Sequence, residues 1–271
     1  MINKRFIFIS GVDRSGTTML ASMLKVPNQV HVLPEAPFKF RFLKSNWNDI
    51  PSESAYEKYY SSHGFKEIPT QKEWLNYIES FKEEYLVDHT PKNQNFFLEL
   101  KNSYSNSCFI NITRNFDTLF ISHYSLSWGT KIASVLFLRK LINVVKVRFV
   151  FIIFALSGIK CLSLKFEDLL RFNHDSLRNF CEDIGLKIPR KMVSSNIGIP
   201  EFSRNQHSLV GKSFDLSKTK ANYSGLPIAK KIIVYLLSKL GIIFLPIALI
   251  FEFGEIAKKI WTKFLKKSEK I

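Results

Sequence analysis

Acidic side chains are in short supply: 23 Asp and Glu stand against 39 Lys and Arg, a formal net charge of +16 over 271 residues. Such a surplus favours anionic partners: nucleotides, acidic glycans, an anionic membrane surface or nucleic acid. It does not choose among them, and a merely solubilising surface would show it too. Cysteine is scarcer still. Cys108, Cys161 and Cys181 are odd in number and far apart. That pattern excludes a disulfide framework and a cysteine-rich metal site, and leaves buried thiols as their expected role. Internal repeats and low-complexity tracts are absent, which excludes solenoids and biased linkers. The opening run Phe6-Ile7-Phe8-Ile9 is too short for a secretory signal and leads straight into a glycine loop, so a reducing, cytoplasmic location is expected. What abounds is aromatic: 14% of the chain, with Phe alone supplying 25 residues. With 46% hydrophobic residues, the chain can build one substantial α/β domain with an appendage.

Residues 5–10 read as a short, fully buried strand of the kind used in parallel sheets. Gly11 to Gly16 forms a loop, and 17–24 reads as a helix with Met19, Leu20, Met23 and Leu24 on one face. The stretch 38–86 is aromatic and charged and reads as mostly helical, broken at Pro51 and Pro69. Further strands are expected at 107–112 and 160–166, the second leading into helix at Glu167-Asp168-Leu169-Leu170. Alternating strands and helices predict a three-layer α/β/α domain around a parallel central sheet, over residues 1–226.

Residues 227–271 differ. They hold nine Lys and three Glu with no Arg or Asp, so this stretch alone contributes +6. Within it, Ile232 to Phe251 is apolar save Ser238 and Lys239. Twenty such residues could just cross a bilayer, yet Lys239 and Pro246 oppose a simple span. The flanking Lys clusters with Trp261 and Phe264 suit a helix lying in the inner membrane face, and a pair of helices capping the core fits as well. We read it as a C-terminal helical extension, peripheral to an anionic membrane or packed on the domain.

The strand, glycine loop and helix at the start make a phosphate cradle. Against the triphosphate pattern G-x-x-x-x-G-K-S/T, Gly11, Gly16 and Thr18 keep their places, but Thr17 stands where the lysine belongs. That lysine would reach the β- and γ-phosphates of a nucleoside triphosphate. Arg14 instead supplies a planar, forked cation suited to a tetrahedral oxyanion.

Arg14-Ser15-Gly16-Thr17-Thr18 after a buried strand resembles the sulfotransferases that use 3′-phosphoadenosine 5′-phosphosulfate, in which an R-S-G-T-T loop binds the 5′-phosphosulfate without a metal. The resemblance covers roughly residues 5 to 215. Arg114-Asn115-Phe116-Asp117 continuing to Ser122 is similar to that family's R-D-P-x-D-x-x-x-S, implying that Arg114 and Ser122 hold the 3′-phosphate; Phe116 replaces the proline. Lys165-Phe166-Glu167-Asp168-Leu169-Leu170 resembles the Y-E-D-L segment and is read as scaffold. Arg204, Ser208 and Lys212 lie in a polar, basic segment that relatives fold over the nucleotide; a plain solvated loop fits equally. No metal is implied.

The resemblance further implies a catalytic Glu after the first helix, which falls on Glu35, held between Pro34 and Pro37; a plain surface Glu is the alternative. Asp88-His89-Thr90-Pro91 is similar to the family's E-K-T-P, with His89 in place of the lysine and Lys92 three residues on. Two arrangements stay open. Glu35 is the base with His89 and Lys92 beside the sulfonate, or His89, whose ordinary pKa is about 6.5, is the base itself. The expected activity is sulfonate transfer to a hydroxyl acceptor, a glycan or glycolipid, without nucleic acid. Two competing readings remain: a small-molecule kinase on the same architecture, opposed by Thr17, and a non-catalytic basic protein binding membrane or nucleic acid through the basic stretch 131–160.

Overall fold

The computed structural model describes residues 4–11, 15–43, 53–114, 154, 158–170 and 175–187, all within one compact unit of the chain. Strand β1 (Arg5–Ser10) lies at the centre of a five-stranded sheet. β3 (Tyr85–Asp88) and β4 (Cys108–Thr113) flank it, with β2 (Val30–Val32) outside β3 and β5 (Cys161–Lys165) outside β4. Every pairing is parallel. Helix α1 (Thr17–Met23) follows β1. A 3₁₀ turn (Pro37–Lys39), α2 (Phe40–Leu43), α3 (Glu53–Ser62) and α4 (Gln71–Glu79) lie between β2 and β3. A second 3₁₀ turn (Pro91–Asn95) and α5 (Phe97–Ser103) precede β4, and α6 (Phe166–Leu170) and α7 (Asp175–Asp183) follow β5.

Both faces of the sheet are covered, and side-chain alternation along the strands sorts the core by kind. Phe6, Phe8, Leu86 and Phe109 point into an aromatic layer with Phe38, Phe40, Trp74, Phe96, Phe97 and Tyr104. Ile7, Ile9, Val87, Ile110 and Ile112 point the other way, into an aliphatic layer closed by Leu20 of α1 and Leu177 of α7. The high phenylalanine content thus has a location. α4 presents Trp74 and Ile78 to the aromatic layer, and its start is fixed by a capping box in which Thr70 and Glu73 bond each other's backbone N–H. All three cysteines are free. Burial pushes the Cys108 and Cys181 thiols up to about 12, which leaves them unreactive.

The expected α/β architecture with a parallel sheet is present, and the strands expected at 107–112 and 160–166 form with boundaries shifted by a residue. Two strands escaped the pattern reading. β2 is three residues long with His31 in its middle. β3 closes the stretch read as mostly helical. Its four residues are all buried, so it shows no alternation, and four residues are too few to express any other period. Among the described residues, no helix is long and apolar enough to cross a membrane. The domain boundary at 226/227 and the extension 227–271 lie outside the described residues.

Candidate active site

In an open parallel sheet, ligands gather outside the carboxyl ends of the strands. Here the loop after each strand brings a candidate residue to that rim: Gly11 after β1, Glu35 after β2, His89 after β3, Arg114 after β4 and Phe166 after β5.

One side of the rim begins at Gly11. A methyl group there would overlap the Ser15 hydroxyl and come within 2.7 Å of the Ile112 carbonyl oxygen, so only hydrogen fits. Gly16 sits at φ 100°, a left-handed conformation, and a side chain would run into the Phe166 ring, 2.6 Å from Cε2. Gly16 is the N-cap of α1, and no side chain caps it. The backbone N–H groups that open such a helix are anion donors. Ser15 is 1% exposed, and its Oγ has no hydrogen-bond partner among the described residues. A buried hydroxyl in that state is costly unless a ligand completes it. Thr17 is buried and Thr18 half-buried beside it. The Arg114 guanidinium lies 4.5 Å over the Phe166 ring. One aromatic ring therefore lies against both the glycine loop and Arg114. Phe166 belongs to the segment read from sequence as scaffold.

The opposite side holds the two candidate bases together. Glu35 Oε1 and His89 Nδ1 are 3.9 Å apart, with Glu35 14% and His89 2% exposed. The Glu35 loop is anchored by the Leu33 N–H on the Val87 carbonyl (2.9 Å) and the Ala36 N–H on Thr90 Oγ1 (3.0 Å). His63 Nε2 lies 3.4 Å from the Glu35 carbonyl oxygen, and its Nδ1 is 3.2 Å from the Tyr77 hydroxyl. Burial pulls His63 and His89 each down to about 4, so both are neutral near pH 7.

Beneath this pair is a polar cluster that the sequence reading missed. Lys39 and Asp88 form an ion pair while 2% and 0% exposed. Lys39 Nζ also donates to Asn93 Oδ1 at 3.0 Å. Asp88 Oδ1 accepts from the Thr90 N–H (2.9 Å) and from Asn93 Nδ2 (3.1 Å). Burial raises the Asp88 carboxyl, but Lys39 and the hydrogen bonds from Thr90 outweigh it and hold it below the usual range. Burial likewise lowers the Lys39 ammonium against the pull of Asp88. With a cation and two N–H donors on its oxygens, Asp88 is a carboxylate. The sequence signal was a lone lysine set between Phe38 and Phe40 in an aromatic run, since a buried cation requires a partner.

Ser15, Gly16, Thr17, Thr18 and Arg114 thus lie at the same rim as Glu35 and His89. Lys92 sits on the second 3₁₀ turn, its side chain outside the description. Arg14, Ser122, Arg204 and Lys212 lie outside the described residues. Among the described residues, no group of three or more His, Cys, Asp or Glu is placed to hold a metal ion.

The five-stranded parallel sheet, with a glycine loop and an arginine at its carboxyl ends, defines an α/β protein. Residues 6–190, well over half the chain, match the model of the sulfotransferase family. The chain belongs to that family, and its chemistry is sulfonate transfer. Among solved structures it is similar to the sulfotransferase domain of the Synechococcus PCC 7002 olefin synthase, at 16% identity and TM-score 0.52, over 89% of this chain and 95% of that one. It is also similar to a sulfotransferase from Alicyclobacillus acidocaldarius, at 13% identity and TM-score 0.48, over 74% and 86%. The sulfotransferase domain of the curacin biosynthetic pathway matches at 15% identity and TM-score 0.45, over 73% and 79%. At such identities the likeness concerns the fold, and that argument rests on the first of these. No curated protein matches the sequence.

Proposed function

We propose that the protein transfers a sulfonate group from 3′-phosphoadenosine 5′-phosphosulfate to a hydroxyl of a glycan or glycolipid. The observation that carries this reading is the cradle itself. Gly11 and Gly16 leave room only for hydrogen, and the Ser15 Oγ is buried with no hydrogen-bond partner among the described residues. In this reading Ser15, Thr17, Thr18 and Arg14 hold the 5′-phosphosulfate, and Arg114 with Ser122 holds the 3′-phosphate. Arg204 and Lys212 add contacts from the later basic segment. Glu35 takes the acceptor proton while the acceptor oxygen bonds to sulfur. The sulfur–oxygen bond to the 5′-phosphate breaks, and its electron pair leaves with the nucleotide. His89 is almost wholly buried, at 2% exposed, whereas Glu35 keeps 14% exposure at the rim where an acceptor arrives. His89 serves better as a partner that orients Glu35 from 3.9 Å. The basic, apolar stretch 227–271 favours an acceptor borne on a membrane at its cytoplasmic face.

Calorimetry tests the donor. Adenosine 3′,5′-bisphosphate should bind the full chain without added metal, and ATP with magnesium should bind at least tenfold more weakly. The reverse order would restore the kinase reading. Labelled sulfonate should then appear in a glycolipid extract rather than in simple alcohols. Incorporation into the alcohols alone would remove the glycan assignment.

A further inference from the structure

The carboxyl ends of β1, β3 and β4 carry Ser10, Asp88 and Asn111, all buried and all on the aromatic side of the sheet. Apolar side chains fill the same face one turn of the pleat earlier. A polar patch inside an aromatic layer costs stability unless its groups bond one another. Asp88 achieves this through Lys39, which arrives from the 3₁₀ turn after the Glu35 loop, not from the sheet. The Lys39 ammonium is also enclosed by the Phe8 and Phe40 rings, 5.6 and 5.0 Å from their centroids.

Three chain segments meet here. Thr90 Oγ1 accepts the Ala36 N–H and so ties the Glu35 loop to the His89 loop. Asn93 Nδ2 donates to the Ile9 carbonyl (3.1 Å) and to the Asp88 carbonyl (3.0 Å). That bond moors the His89 loop to the end of β1, two residues before Gly11. Lys39 closes the cluster by binding Asp88 and Asn93 together.

We propose that Lys39 is a positioning residue: with Asp88, Thr90 and Asn93 it forms a buried polar node that fixes the Glu35–His89 pair relative to the phosphate loop. The proposal rests on the reading of Glu35 as base. In-line transfer requires the acceptor side and the donor side to be set within a fraction of an ångström. A node bonded to both supplies that setting, whereas an apolar core of equal volume would supply stability alone.

Two variants of the full chain test this. Thr90→Val keeps the shape of the side chain and removes the acceptor for the Ala36 N–H. The pair Lys39→Met with Asp88→Leu removes both charges at once and so leaves no buried ion unpaired. Three quantities are read: affinity for adenosine 3′,5′-bisphosphate, release of labelled sulfate from the donor with water as acceptor, and amide hydrogen exchange at 35–38 and 89–93. We expect nucleotide affinity within about twofold of the parent, sulfate release at least tenfold slower, and exchange at 35–38 at least tenfold faster. A double variant that melts like the parent and releases sulfate at the parental rate would reduce the node to a structural pair and overturn the proposal. Unchanged exchange in Thr90→Val would do the same, and this single variant decides the matter should the double one fail to fold. If the parent binds no nucleotide while Thr90→Val still loosens 35–38, the donor reading fails and the mooring stands. A Glu35→Gln variant as fast as the parent would count against the base assignment alone.

Discussion

Glu35 and His89 were separate candidates on two loops, and the structure sets them 3.9 Å apart. Their environments differ. His89 is buried and neutral, and Glu35 keeps 14% exposure at the rim. Glu35→Gln should therefore lower turnover by about 10²- to 10⁴-fold, the usual loss of a general base, with nucleotide affinity nearly unchanged. Steady-state rates beside calorimetry would check it, and near-parental turnover would shift the role to His89. Gly16 carries a different constraint. Its φ of 100° and its contact with Phe166 leave no place for a side chain. Gly16→Ala should cost about 1–3 kcal/mol in denaturant unfolding and weaken adenosine 3′,5′-bisphosphate binding as well. Unchanged binding would show that the loop does not touch the nucleotide.

At the level of elements, legibility followed length and period. β1 and β4 each present six residues of nearly continuous burial and could be read from sequence. β2 and β3 are too short to show a pattern, although β3 delivers Asp88 and His89 to the rim. Arg114 was legible as a candidate, but the Phe166 ring beneath it was not. Phe166 gains its role only because α6 starts where β5 ends, opposite Gly16. α4 begins at an exposed Thr70 cap. Thr70→Ala should lower stability by about 1 kcal/mol while turnover stays parental. A large loss of turnover would mean that α4 shapes the acceptor side.

The buried histidines matter for the whole domain. His63 and His89 titrate at about 4 when folded, against about 6.5 when unfolded. Between those values the unfolded chain binds protons that the folded chain refuses, so acid favours unfolding. Stability should hold above about pH 6.5 and fall steadily towards about pH 4, by roughly 3 kcal/mol for each histidine at the lower end. Thermal unfolding across that range checks it. The slope should lessen in His63→Gln, and a flat profile would mean that neither ring is kept neutral by burial.

The sequence by itself determined the class of the protein and the place of the glycine loop, because both are local. A buried strand, a glycine turn and a helix follow one another within about twenty residues, and the missing lysine at Thr17 is visible without any fold. It also determined the candidates Glu35 and His89, one by one. Only the tertiary structure brought them together, 3.9 Å apart. It brought Lys39, 49 residues from its partner, under Asp88 and sealed it among Phe8 and Phe40. A buried charge is tolerable only where its counter-charge is already in place. That meeting depends on the packing of a 3₁₀ turn against the end of a parallel strand, which no local pattern encodes.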